Sequence, residues 1–248
     1  MTIPVRSSSH ATKAPSRLGK ALLGVFMKRA TVAAIEDVAD HFRLVTLEGA
    51  ALRSVAWAPG QKIQVALGSA FVARTYTPVG WDAAAGSTRI LGYAHGDGPG
   101  SAWLLGLAAG DECDLFGPRS SLDPGRTNAQ LAVFGDETSI GLACALTSTG
   151  RLNPARCCFE VGDVASGGQI LTRLGLEGAE LIVKRHDDEH LADMEAALSA
   201  GVSEGASFVL TGKANTIQRL RHSLKREGVP AARILTKAYW APGKRGLD

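Results

Sequence analysis

Arg74-Thr75-Tyr76-Thr77-Pro78 brings together residue types suited to a ligand with a phosphate and a flat ring. On a strand, alternate side chains share a face, so Arg74 and Tyr76 project together. The guanidinium is a planar fork of donors for phosphate, and the phenol ring supplies a flat surface beside it. Thr75 lies between them, and Thr77 adds a hydroxyl and a backbone N–H where the strand ends. Taken alone the segment decides nothing, because any β-protein can carry an Arg and a Tyr on one face.

A second segment, His95-Gly96-Asp97-Gly98-Pro99-Gly100-Ser101-Ala102-Trp103, is a glycine-rich turn running into a helix. The first turn of a helix leaves backbone N–H groups unpaired, and these bind phosphate. Ser101 can cap the helix or offer its hydroxyl to the anion; a simple loop with a Ser cap fits equally well. A third segment, Gly135-Asp136-Glu137-Thr138, follows the apolar run Leu131–Phe134. Ligands of open α/β sheets bind at such strand ends, although an acidic pair is unfavourable directly beneath a pyrophosphate. A plain turn with an Asp or Thr cap explains the same residues.

The elements that must hold these segments fall into two styles. Short β-type runs cover 42–47, 62–67, 71–77, 88–94 and 112–116, with turn signals at Ala58-Pro59-Gly60, Pro78-Val79-Gly80 and Gly96–Pro99. Their spacing predicts an antiparallel barrel or sandwich, interrupted by one helix at 101–108. After 123–128 the pattern changes to strands at 131–134, 157–161, 181–184, 207–210 and 233–236. Helices are predicted at 138–146, 189–198 and 215–226. That alternation predicts an open parallel sheet. The expected organisation is a basic tail over 1–29 with a short helix (Leu18–Met27), a β-barrel over 30–126 and an α/β domain over 127–248.

Composition narrows the function. The 248 residues carry 27 Lys+Arg and 24 Asp+Glu, a net +3, which argues against a dedicated nucleic-acid binder. No apolar run reaches the roughly 18 residues of a membrane-spanning helix. Cys113, Cys144, Cys157 and Cys158 fit neither a zinc spacing nor a disulfide framework, which points to burial in a reducing compartment. The basic N-terminus reads as a transit peptide, a basic membrane-surface helix, or a solvated tail followed by a short amphipathic helix. His186 and His190 stand four apart among acids, but a solvated helix start accounts for them. Arg219, Arg221, Lys225 and Arg226 read as the wet face of a helix.

The order and spacing of the three segments resemble the flavin-dependent siderophore-interacting proteins, ferric-siderophore reductases of the ferredoxin-reductase superfamily. The resemblance runs from about Arg29 to Gly246. Besides Arg74–Pro78, His95–Trp103 and Gly135–Thr138 it includes Phe42–Gly49, Ala58–Gln61, Ala109–Asp111, Gly117–Arg119, Arg219–Val229 and Tyr239-Trp240. It implies a FAD-binding antiparallel barrel followed by a small NAD(P)H-binding α/β domain. Arg74 is then expected at the FAD phosphate, Tyr76 against the isoalloxazine and Thr77 near its reactive nitrogen. His95, Gly98, Gly100 and Ser101 would hold the remainder of the pyrophosphate and adenosine arm. Gly135, Asp136 and Thr138 would border the flavin and the entry of NADPH or NADH.

Three positions depart from the family pattern: Gly100 where Ala is usual, Ser120 where Gly is common, and Lys213 in place of an acid. The Gly100 change is expected to loosen the turn slightly. The implied activity passes electrons from NAD(P)H through FAD to a ferric siderophore, releasing Fe(II), with no metal site in the protein. Lys237, Lys244 and Arg245 are candidates for drawing in the anionic chelate. Arg151, Arg156 and Lys184 are each candidates for a 2′-phosphate. A cytoplasmic monomer is expected. Two alternatives remain: a flavin reductase serving an electron-carrier protein, and a non-catalytic flavin- or siderophore-binding module.

Overall fold

The computed structural model describes residues 27–244 apart from 68, 127–129, 149 and 151–153. The basic tail, all but the last residue of its expected helix, Arg151 and Arg245 lie outside the described residues. The chain opens with β1 (Met27–Ala39), β2 (Phe42–Glu48), β3 (Lys62–Leu67), β4 (Ser69–Tyr76), β5 (Pro78–Asp82) and β6 (Ser87–Tyr93). Helix α1 (Pro99–Gly106) and β7 (Glu112–Arg119) follow. These strands form one sheet in the order β4-β3-β7-β1-β2-β6-β5, with antiparallel neighbours.

β4 and β5 are the two edges of that order, yet only Thr77 separates them in the chain. The sheet must therefore curl until its edges meet at Thr77, which makes it a barrel with a gap in the ladder rather than a flat sheet. Val45, Leu47, Ile63, Val65, Ile90 and Leu115 fill the interior. Pro78 was expected in a turn but opens a strand; the first position of an edge strand is where proline's missing N–H does no harm.

The second half alternates β8 (Leu131–Asp136), α2 (Ile140–Ser148), β9 (Arg156–Val161), α3 (Val164–Leu174) and β10 (Glu180–Val183). It continues with α4 (Leu191–Ser203), β11 (Ser207–Lys213), α5 (Ala214–Arg226) and β12 (Ile234–Trp240). All pairings are parallel, in the order β10-β9-β8-β11-β12. Both faces of β8 are covered, as a parallel sheet demands. Leu131 and Val133 join one apolar cluster, whereas Ala132 and Phe134 join another with Phe208, Leu198 and Leu220. Helix α3 was not expected.

The first of these clusters crosses between the sheets. Phe42, Leu44 and Val79 of the barrel pack with Ile140, Leu142 and Phe159 of the α/β half. Arg173 of α3 also reaches Glu36 of β1 with two hydrogen bonds, 2.6 and 2.8 Å, but both side chains are nearly half exposed. No helix of the described residues is long and apolar enough to cross a membrane.

Burial and not the ion pair should therefore carry the contact between halves. In urea unfolding, Phe42→Ala is expected to cost about 3–5 kcal/mol, the range for emptying an aromatic core position. Arg173→Ala should cost under about 1 kcal/mol, as exposed ion pairs do. Equal losses would contradict this division.

Candidate functional site

Arg74 leaves β4 beside the start of α1. A Cβ placed on Gly100 would lie 3.1 Å from Arg74 Cγ and 3.2 Å from its Nε, so the arginine stem lies flat on the helix backbone. The glycine makes room for Arg74. One guanidinium nitrogen, Nη1, donates to the Ala73 carbonyl at 2.8 Å. Among the described residues no carboxylate pairs with Arg74. Helix α1 begins after Gly98 with Pro99 in its first turn and no side-chain cap, leaving its first amides available. Ser101 does not cap the helix, because its hydroxyl donates back to the His95 carbonyl at 2.9 Å and fixes the glycine turn.

Tyr76 packs against Trp103 of α1, ring centroids 5.7 Å apart, and burial pushes its hydroxyl well above the usual phenol range. Thr75 lies in register opposite Gln64 of β3. Thr77, at the corner between edge strands, shares a 3.4 Å hydrogen bond with the Tyr239 hydroxyl of the other sheet. Burial raises Tyr239 to about 12, with the Thr77 contact opposing. Thus the Arg74–Thr77 segment, the α1 start and β12 meet.

On the α/β side, Asp136 and Glu137 at the end of β8 are 0% and 2% exposed. Both carboxylates find partners inside the protein, and Lys184 offsets the charge of Glu137. Asp136 Oδ1 accepts from the Thr138 N–H at 2.9 Å and hydroxyl at 2.5 Å, and Oδ2 accepts from Trp240 Nε1 at 2.6 Å. Gly212, at φ +100, closes on this carboxyl: a Cβ there would lie 2.6 Å from Asp136 Cγ. Gly135 is similarly tight against Thr211, where a Cβ would lie 2.6 Å from the carbonyl oxygen. Desolvation lifts Asp136 to about 6, against the hydrogen bond from Thr138.

Glu137 reaches across the cleft. Oε1 accepts from the Gly162 N–H at 2.7 Å and the Tyr93 hydroxyl at 3.3 Å, and Oε2 holds Lys184 Nζ at 2.5 Å. Tyr93, at the end of β6, stacks on His95 at 5.9 Å, and His95 meets Trp240 at 5.3 Å. Desolvation lowers His95, with Lys184 adding and Glu137 opposing, so the ring is neutral at pH 7. It can stack or share a hydrogen bond but brings no charge to a phosphate.

β12 makes this corner possible. Gly212 pairs with Ala238 and Lys213 with Trp240, leaving Tyr239 as a bulged residue. The bulge re-aims two consecutive aromatic residues at once: Tyr239 reaches Thr77 and Trp240 reaches Asp136 and His95. Tyr93 and Lys184 belong to this centre although sequence reasoning gave neither of them a flavin-side role. Their partners are far along the chain, and no local pattern reports such contacts.

Other candidates are resolved by their neighbours. Lys184 is tied to buried Glu137. Arg156 begins β9, at the sheet edge opposite the strand ends, and pairs with Glu204 at 2.9 Å. Arg219 and Arg226 share Glu195. His190 is buried, its Nδ1 accepting from the Arg185 N–H and its Nε2 2.6 Å from Glu160, which leaves it no metal-ligand role. Among the described residues no cluster could hold a metal ion. All four cysteines are free and buried. Lys213 pairs with Asp188 at 2.8 Å. Lys237 lies on β12 and Lys244 is exposed just beyond it.

Residues 68–122 match the family described as the siderophore-interacting FAD-binding domain. The family resemblance read from the sequence is borne out over that segment. The siderophore-interacting protein SipS from Aeromonas hydrophila is similar in fold, with 22% identity and a TM-score of 0.71. That match covers 88% of this chain and 93% of SipS. A siderophore utilization protein from T. fusca matches at 19% identity and TM-score 0.68, over 90% and 95%. A cytochrome P450 reductase from Amycolatopsis matches at 18% and 0.68, over 88% and 70%. No curated protein sequence matches the chain. The expected fold, a β-barrel followed by an open parallel sheet, is thereby shared with these solved proteins.

Because Asp136 holds its proton more tightly folded than unfolded, the stability it confers is present below its ordinary value of 3.8. That contribution is lost as pH rises through about 6. Trp240, bonded to the same carboxyl, should change its emission with a midpoint near that pH. The step should vanish in Asp136→Asn and in Trp240→Phe. A step that survives in Asp136→Asn would contradict the assignment.

Proposed function

We propose that this chain is a FAD-dependent reductase that takes electrons from NAD(P)H and delivers them to a ferric siderophore. The observation that carries the reading is the Arg74 stem lying on the Gly100 backbone. It brings a cationic fork and the unpaired amides of a helix start to one point, the donor set a pyrophosphate requires. The match of residues 68–122 to a siderophore-interacting FAD-binding domain supports the same reading.

FAD, when bound, supplies the conversion of a two-electron hydride into single electrons. One NAD(P)H, losing a hydride to become NAD(P)+, thus provides for two Fe(III) ions becoming two Fe(II). Protein groups do the rest. Arg74 and the backbone N–H groups of Gly98, Gly100 and Ser101 hold the pyrophosphate. Tyr76 offers its ring as a wall, and Thr77 offers a hydroxyl that Tyr239 already orients. Gly135 to Thr138 and the Trp240 ring border the other side. Strand ends at the β8/β11 switch point of the parallel sheet suit the nicotinamide donor. Iron leaves because hard siderophore oxygens hold Fe(II) more weakly than Fe(III). Lys237 on β12 and Lys244 just beyond it are the proposed positive charge that favours anionic chelates. The four free, buried cysteines suit a reducing compartment.

Arg74→Ala is expected to weaken FAD binding by about ten- to a hundredfold, the loss of a charge-assisted contact, read by quenching of flavin fluorescence. Under nitrogen, adding NADH or NADPH to the FAD-loaded protein with a ferric siderophore should bleach the flavin and develop a ferrous-specific dye. A bleached flavin without dye, with turnover only when a carrier protein is added, would replace the siderophore with that carrier. A flavin that neither nicotinamide bleaches would overturn the reductase reading.

A further inference from the structure

The adenosine end of the donor finds a distinctive rim on the parallel sheet. Where a dinucleotide lies across such strand ends, an acidic side chain past the second strand takes the ribose 2′-hydroxyl. The second strand here is β9, and Asp163 is the exposed carboxylate just beyond it. Its Oδ2 accepts the Ser166 N–H at 2.7 Å, and hydrogen bonds from Ser166 hold the carboxyl below its ordinary range. The anion is therefore fixed at neutral pH.

Two exposed apolar residues lie on the adjoining backbone. Val164 opens α3 and Val183 closes β10, with 46% and 41% exposure. Val183 pairs in register with Val161, and the Lys184 N–H donates to the Val161 carbonyl, which sets Val183 beside the 162–164 turn. Exposed valines at these two neighbouring strand-end turns, beside a fixed carboxylate, suit an adenine ring and an unsubstituted ribose. A 2′-phosphate would need a free cation instead. Of the cations after β10, Lys184 is held by buried Glu137, whereas Arg185 meets Asp193 only in an exposed pair worth little. Withdrawing Lys184 would leave Glu137 buried without its partner, a penalty well beyond that of a surface pair.

We infer that Asp163, with Val164 and Val183 as the adenine platform, makes this chain select NADH over NADPH. The inference rests on the nicotinamide-donor reading above. It acts by repulsion as much as attraction, a common route to specificity.

Calorimetry on the FAD-loaded protein with ADP and with adenosine 2′,5′-bisphosphate tests it directly, alongside anaerobic bleaching by NADH and NADPH. Wild type should bind ADP at least about tenfold more tightly than the bisphosphate, the cost of facing an unpaired like charge. Asp163→Ser and Asp163→Asn keep a helix-capping oxygen and should fold normally. In both, the preference should shrink toward parity, chiefly through tighter bisphosphate binding. A preference unchanged in these variants, or a wild type favouring the bisphosphate and NADPH, would overturn the inference and leave the donor reading standing. If neither nucleotide binds and neither dinucleotide bleaches the flavin, the donor reading falls and the inference with it.

Discussion

Two carboxylates buried side by side at one strand end must find donors, since an unsatisfied buried charge costs several kcal/mol, on the order of a whole domain's margin of stability. Asp136 and Glu137 meet that demand from every neighbouring element. Trp240 comes from the last strand, Tyr93 from the barrel, Lys184 from the end of β10, and the Gly162 amide from the turn after β9. These contacts fix how the strand ends face the barrel. They also account for two local irregularities: the β12 bulge that delivers Trp240, and the glycine at φ +100 that lets Asp136 lie against β11.

The same arrangement divides the cleft electrostatically. Near α1, Arg74 and the helix amides have no paired carboxylate among the described residues, so an anion is welcome. Near the parallel strand ends, each lysine or arginine beside Glu137, Asp188 and Asp193 is already engaged. Positive charge is thus available where the FAD pyrophosphate is proposed and balanced where the nicotinamide donor is proposed. His95 stands between these regions as a neutral ring, stacked rather than charged.

Much of this fold is legible in the sequence because its core strands are locally explicit. The apolar run at Leu131–Phe134, covered on both faces, reads as a parallel strand, and Arg74–Thr77 marks the barrel edge. β1 escapes notice because its burial follows no clean alternation and charged residues interrupt it. Helix α3 is masked by Gly167 and Gly168, which depress helix propensity in its middle, although Gly167 lets Leu181 pack closely. The site is legible in outline only. Gly100 reveals its role once Arg74 is seen lying on it. The Tyr93–Glu137 and Asp136–Trp240 contacts join residues 44 and 104 positions apart, beyond any local signal.

In the proposed function, Arg74 and the α1 start grip one end of a flavin whose ring faces Thr77 and Trp240. Amide hydrogen exchange with and without saturating FAD measures this without reference to turnover. Slowed exchange should concentrate at 74–77, 98–101 and 238–240, with β10 and α4 unchanged. Protection that spares 98–101 while FAD is bound would contradict the account at its centre.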